Sequence, residues 1–92
     1  MKHFDNIYFM GIGGIGMSAL ARYFLHEGKA VAGYDRTETP LTRELEREGA
    51  VVTYEDEVEN IPEAFRNPDT TMVVFTPAVP EEHPQMQFFR NR

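Results

Sequence analysis

No cysteine occurs in this chain, which excludes disulfides and thiolate-bound metals and fits a reducing compartment. Positive charge is also scarce. Nine Lys and Arg stand against fifteen Asp and Glu, a formal net charge of −6. Nucleic-acid binding relies on Lys and Arg to neutralise phosphates, so nucleic acid is not expected as a partner. The same charge repels anionic ligands at long range, so any anion must be held by local fields. No apolar run approaches the roughly 18 residues of a membrane helix. The N-terminal stretch "MKHFDNIYFMG" has too short an apolar run for a secretory signal. A soluble, cytoplasmic protein without a membrane partner is expected. His3, His26 and His83 lie far apart and lack metal-ligand spacing, so no metal site is expected and surface or capping roles are assigned. No G-x-x-x-x-G-K-S/T occurs, hence no P-loop for ATP. The carboxylates between 55 and 59 read as a solvated run, with nothing to mark an acid–base pair.

What is present suffices for one small domain: 92 residues, of which 41% are hydrophobic. "NIYFMGI" (6–12) reads as a buried strand ending at glycine. Met17, Leu20, Ala21, Phe24 and Leu25 then recur at the spacing of one apolar helix face, and Gly28 is placed to end that helix in a left-handed conformation. "AVAGYD" (30–35) is a second strand. Thr39 and Pro40 form an N-cap and first helical position, followed by a helix that turns Leu41 and Leu45 inward and stops at Gly49. "AVVTY" (50–54) is a third strand. The acidic segment after it is expected to be a loop with one short helix from Pro62. "TTMVVFTP" (70–77) is a fourth strand, its apolar run implying burial on both faces, and a last helix begins at Pro84. This order predicts an α/β fold: an open, mostly parallel sheet covered by helices on both faces. The chain stops after a helix with no following strand, so a piece of a longer protein, lacking its last strand, is expected.

The informative stretch is "FMGIGGIGMSA" (9–19). A strand, then G-x-G-x-x-G, then a helix is the context in which this motif binds a diphosphate. Gly11 would allow the tight turn out of the strand, Gly13 the approach of backbone to a pyrophosphate, and Gly16 the close lie of the helix on the sheet. Gly14 would widen access. Amides from about Gly14 to Ser18 would point outward, and with the helix dipole they make an anion site that needs no lysine. The same glycines would also serve if they only let the helix pack closely on the strand. Asp35 stands 19 residues beyond Gly16, where dinucleotide sites place an acid on the ribose hydroxyls; it could equally be a turn residue before "RTETP". Arg36 reads as a solvated charge. "FTPAVP" (75–80) leaves the fourth strand at the end where such sheets bind ligands, and Thr76 could hydrogen-bond there, or the segment could be a stiff proline-rich exit.

"YFMGIGGIGMSALA", "AGYD" and "FTPAVPEEHPQ" together resemble the N-terminal domain of the Mur ligases over nearly the whole chain. The similarity is greatest to the members that join L-alanine to UDP-N-acetylmuramic acid; a sister enzyme that recycles murein tripeptide ranks second. The resemblance implies a Rossmann-like domain, residues 1–92, that holds the UDP-sugar of a cytoplasmic, ATP-dependent ligase of peptidoglycan synthesis. A central domain with the ATP and Mg2+ site and a C-terminal domain would complete that enzyme, and these residues alone would be inactive. It further implies that Gly11, Gly13, Gly14, Gly16, Met17 and Ser18 form the diphosphate loop. Asp35 would lie near the uridine, and Thr76, Pro77, Ala78 and Val79 would line the sugar-nucleotide site. Tyr8, Tyr34 and His83 depart from residues common in the family, where His, Ser and Asn often stand. Two other readings remain open from the residues: an NAD-binding domain of an oxidoreductase, and a regulatory nucleotide-binding domain.

Overall fold

The computed structural model describes residues 3–91. Its elements, in chain order, are β1 (Asn6–Met10), α1 (Ile15–His26), β2 (Ala30–Tyr34), α2 (Pro40–Arg47), β3 (Val51–Thr53), two single 3-10 turns (Val58–Asn60 and Glu63–Phe65), β4 (Thr71–Phe75) and α3 (Pro84–Arg90). The four strands form one sheet in the order β3-β2-β1-β4, every pairing parallel. The expected α/β architecture is therefore present. Strands are shorter than the apolar runs suggested, because Gly11, Asp35 and Thr76 already belong to the loops that leave β1, β2 and β4.

Side chains alternate across the two central strands, as a pleated strand requires. Ile7, Phe9 and Val31 face α1 and α2, where Ala21, Leu45 and Ala50 complete a buried cluster. Tyr8, Met10, Ala32 and Tyr34 face the other way, onto Ile61, Phe65 and Met86. The sheet is thus covered on both sides. Fully burying one such side chain stabilises a fold by about 1.5–3 kcal/mol, so each face is worth holding. The acidic segment reaches the second face by its few apolar residues, Ile61 and Phe65, while its carboxylates stay exposed.

Two expectations need correction. β4 is an edge strand, with Met72 to Val74 only half-buried and Phe75 exposed; Met72 and Val74 touch the core on one face and Val73 on the other, but neither face is fully covered there. Leu20 is exposed too: it sits at the flank of the α1 stripe, whose centre is taken by Met17, Ala21 and Phe24.

Helix boundaries follow local chemistry. Thr39 Oγ1 accepts from the Thr42 amide, and Thr42 Oγ1 in turn accepts from the Thr39 amide, so both orphan donors at the start of α2 are satisfied. Both long helices stop in the same way. Lys29 N donates to Phe24 O at 3.0 Å after α1, and Ala50 N to Leu45 O at 2.9 Å after α2, around Gly28 and Gly49 with positive φ. Arg22 of α1 donates to Glu44 and Glu48 of α2 and clips the two helices together on the surface.

A glycine that sequence reading passed over fixes how tightly β1 and β2 meet. A Cβ on Gly33 would lie 2.6 Å from the Phe9 carbonyl oxygen and 3.0 Å from the Ile12 Cβ. Backbone cannot yield there as a flexible side chain would. Gly33→Ala should therefore destabilise the chain by about 2–3 kcal/mol, as overpacking of a tight interior does. Urea unfolding checks this; an unchanged midpoint would show that the strands can part without cost.

Candidate functional site

Gly11, Asp35 and Thr76 follow β1, β2 and β4 directly, so the three strand exits converge at one edge of the sheet. Gly11 turns the chain with φ +97°, and a Cβ on it would sit 2.6 Å from Thr76 Cγ2. The amides of Gly11 and Ile12 both donate to the Tyr34 carbonyl, at 2.8 and 3.0 Å, which anchors the loop to the end of β2. α1 then starts at Ile15, with Gly14 as its N-cap and no side-chain cap. The Gly14 amide donates to Gly11 O and the Ser18 amide to Gly14 O. The amides of Ile15, Gly16 and Met17 meet no acceptor among the described residues. These three, rather than all five foreseen, are the amides that the first turn of α1 leaves free.

A cavity of about 570 Å3 opens beside this turn, a size usual for a small-molecule site. Gly11, Gly14, Met17, Asp35, Thr76 and Ala78 of the predicted set line it, together with Val79. It lies over the C-terminal ends of β1, β2 and β4, where the strand order reverses, as ligand sites in open parallel sheets do. Tyr34, Arg36, Thr37, Pro80 and His83 also line it, and none of these was singled out as a site residue from the sequence.

Four predicted residues do not line the cavity. Pro77 borders a neighbouring cleft with Phe75 and Met86. Ser18 is buried, and its hydroxyl donates back to Ile15 O at 2.9 Å. The close-packing role expected of Gly16 falls to Gly13. A Cβ on Gly13 would fall 2.9 Å from both Asp35 Oδ1 and Thr42 Cγ2, so Gly13 is the close-packing glycine. A Cβ on Gly16 would meet nothing within 4 Å, so Gly16 leaves open space above a free amide. Asp35 is engaged by the protein itself: Oδ1 accepts from Gly13 N at 2.9 Å and Oδ2 from Thr37 N at 3.1 Å.

His83 ends the wall. It caps α3, Nδ1 accepting from the Gln85 amide at 3.1 Å, and its ring meets Tyr34 edge-on at 4.3 Å between centroids. Nδ1 is thereby an acceptor, so the neutral ring carries its proton on Nε2, a buried atom with no partner among the described residues. Burial holds the imidazole below its usual value, against a partial opposing pull from Asp56. Gln85 beside it is fully buried: its Oε1 accepts from Tyr8 Oη at 2.7 Å, and its Nε2 donates to the carbonyls of Glu55 and Glu57. Burial also pushes the Tyr8 phenol up, so it remains a donor at every working pH. The sequence signal for this network was the set of departures at Tyr8, Tyr34 and His83, which the fold brings to one side of the sheet.

The family model described as "Mur ligase family, catalytic domain" matches residues 6–92, which is nearly the whole chain. The chain belongs to the Mur ligase family. It is 61% identical over 84 residues to the UDP-N-acetylmuramate–L-alanine ligase of Parabacteroides distasonis, covering 91% of this chain and 18% of that protein. It is 53% identical over 93 residues to the enzyme of the same name from Christiangramia forsetii, covering all of this chain and 21% of that protein. Among solved structures it is similar to the UDP-N-acetylmuramate-alanine ligase MurC of Thermotoga maritima, with a TM-score of 0.79 at 35% identity over 92% of this chain and 18% of that one. This Mur ligase chain thus spans about a fifth of the length of the relatives it matches.

Two outcomes follow from the geometry. Gly16→Ala should raise stability by up to about 1 kcal/mol, because alanine is the better helix former and the added carbon meets nothing. Gly13→Ala should lower it by about 1–3 kcal/mol, because Asp35 and Thr42 must give way. Urea unfolding of both variants decides, and the opposite order would restore the roles read from the motif. The second outcome concerns pH. With its folded value below 6.5, His83 takes up a proton more readily in the unfolded chain. Its contribution is fully present above about pH 6.5 and is lost as pH falls through the lower folded value. His83→Asn keeps a capping acceptor without the titration. Melting curves between pH 8 and 5 should therefore fall less steeply for the variant, and parallel curves would refute the assignment.

Proposed function

We propose that this chain is the N-terminal, UDP-sugar-binding domain of a three-domain, ATP-dependent ligase that joins L-alanine to UDP-N-acetylmuramic acid in peptidoglycan precursor synthesis. The observation that carries the reading is the first turn of α1. Its three free amides lie in the stretch from Gly14 to Met17, two residues that line the cavity beside the strand exits. A diphosphate suits it: the amides donate to its oxygens and the helix dipole opposes its charge, without calling on a lysine in a domain of net charge −6. High identity to proteins named for UDP-N-acetylmuramate supports the choice of nucleotide sugar over other diphosphates. In this reading the nucleoside lies along Tyr34, Arg36 and Thr37, and the sugar extends past Thr76 and Ala78.

The role of these residues is to bind and orient the substrate. ATP and Mg2+ would supply phosphoryl transfer to the lactyl carboxylate in the whole ligase. This chain does not fit them: it has no P-loop, and the described residues hold no cluster of three His, Asp or Glu side chains able to take a metal. No step of that chemistry is assigned to it, and alone it would be inactive. The reading implies a cytoplasmic protein; no helix among the described residues is long and apolar enough to cross a membrane.

Without a second domain to close over it, the site should bind weakly, on the order of 0.1–1 mM. In an NMR titration UDP-N-acetylmuramic acid should shift the amides of Ile15, Gly16 and Met17 most, and NAD less at equal concentration. A stronger response to NAD, with none to the UDP-sugar, would replace this reading by an NAD-binding domain.

A further inference from the structure

Among the described residues Asp35 is the only acid lining the cavity, and it stands beside the place where a diphosphate would sit. A bare carboxylate there would repel that ligand. Its oxygens, however, point into the protein's own backbone. Oδ1 accepts from Gly13 N at 2.9 Å and Oδ2 from Thr37 N at 3.1 Å. One bond reaches back across 22 residues to the middle of the glycine loop; the other closes the turn that follows β2. The contact with Gly13 is tight enough that even a methyl group on that residue would collide with the carboxylate. Gly13 immediately precedes Gly14, the N-cap of α1, so the bond holds the segment from which the three free amides project.

We propose that Asp35 is a positioning residue: its carboxylate fixes the glycine loop so that the amides of Ile15, Gly16 and Met17 converge on the diphosphate, and it does not itself read the ribose. This deepens the nucleotide-sugar reading above and rests on it for the identity of the ligand. Negative charge near the anion is tolerated because two charge-assisted bonds occupy it. In Asp35→Asn the side chain has one acceptor and one donor group, so one of the two amides must face an N–H instead. In Asp35→Ala both bonds vanish.

The test has a ligand-free arm and a binding arm on this chain. First, amide hydrogen exchange of Gly13 and Thr37 should be slow in the unaltered chain. In Asp35→Ala it should quicken at least tenfold at both positions, while the strand amides keep their protection, and in Asp35→Asn at one of them. Unchanged exchange at Gly13 and Thr37 in Asp35→Ala overturns the proposal whatever the ligand. Second, affinities for UDP and for inorganic pyrophosphate are compared in the unaltered chain and Asp35→Asn. A positioning role predicts that both fall by the same factor, about 5–10-fold. A ribose contact predicts that UDP alone falls. A mere repelling charge predicts that pyrophosphate binds more tightly in the variant; either of these results overturns the proposal. Global loosening is separated from positioning by Asp35→Glu, which keeps the charge but displaces both oxygens by a methylene. It should bind pyrophosphate as weakly as Asp35→Asn, and full binding by Asp35→Glu would refute the need for this geometry. If the unaltered chain bound neither probe, the nucleotide reading would fall, and the exchange arm would still decide whether Asp35 holds the loop.

Discussion

Everything at this site depends on the close approach of two strand exits, the turn after β1 and the loop after β4. Where Gly11 passes Thr76 there is no room for a side chain on the glycine, and the backbone turns there with a positive φ. Because the chain can turn so sharply, its next amides bond to the end of β2 and α1 begins within a few residues of the sheet edge. The helix therefore points its unpaired amides at the crevice rather than away from it. In the reading proposed above, a domain with fifteen acids against nine bases would hold an anion in this way by backbone alone.

The opposite wall of the cavity is built differently, from side chains that reach across the sheet. Tyr8 on β1, Gln85 on α3 and the carbonyls of Glu55 and Glu57 form one buried chain of hydrogen bonds. It ties α3 to the acidic segment and so presents His83 to Tyr34. Breaking one partner of such a bond leaves a buried polar group unsatisfied, at a cost of about 1–3 kcal/mol. Tyr8, Tyr34 and His83 thus lie in one connected patch on the α3 side of the sheet. A tyrosine at 8 has a partner because Gln85 is there, and the ring at 34 has an edge to pack on because His83 is.

The open edge of the sheet completes the picture. β4 pairs with β1 on one side, and the Arg90 guanidinium lies over the ring of Phe75 at its end, 4.3 Å from the ring centre. Arg90 is itself held by Glu81. Charged groups so placed blunt an exposed strand edge.

By itself the sequence determined the order of strands and helices, the capped start of α2, the glycine stops after α1 and α2, and the place of the glycine turn between β1 and α1. All of these are set by residues within a few positions of one another: period in a strand, period in a helix, a Thr before a Pro, a glycine after a helix. It also carried the family, because a motif as specific as "GIGGIGMS" lies in one unbroken run. What only the tertiary structure decided depends on residues distant in the chain. Whether Gly13 or Gly16 is the tight one depends on Asp35 and Thr42 arriving from β2 and α2. Whether β4 is an edge strand depends on which strands lie beside it, and its apolar run reads the same at an edge as at a centre. The engagement of Asp35 by Gly13 and the burial of His83 against Tyr34 join segments 22 and 49 residues apart, and no local pattern encodes them.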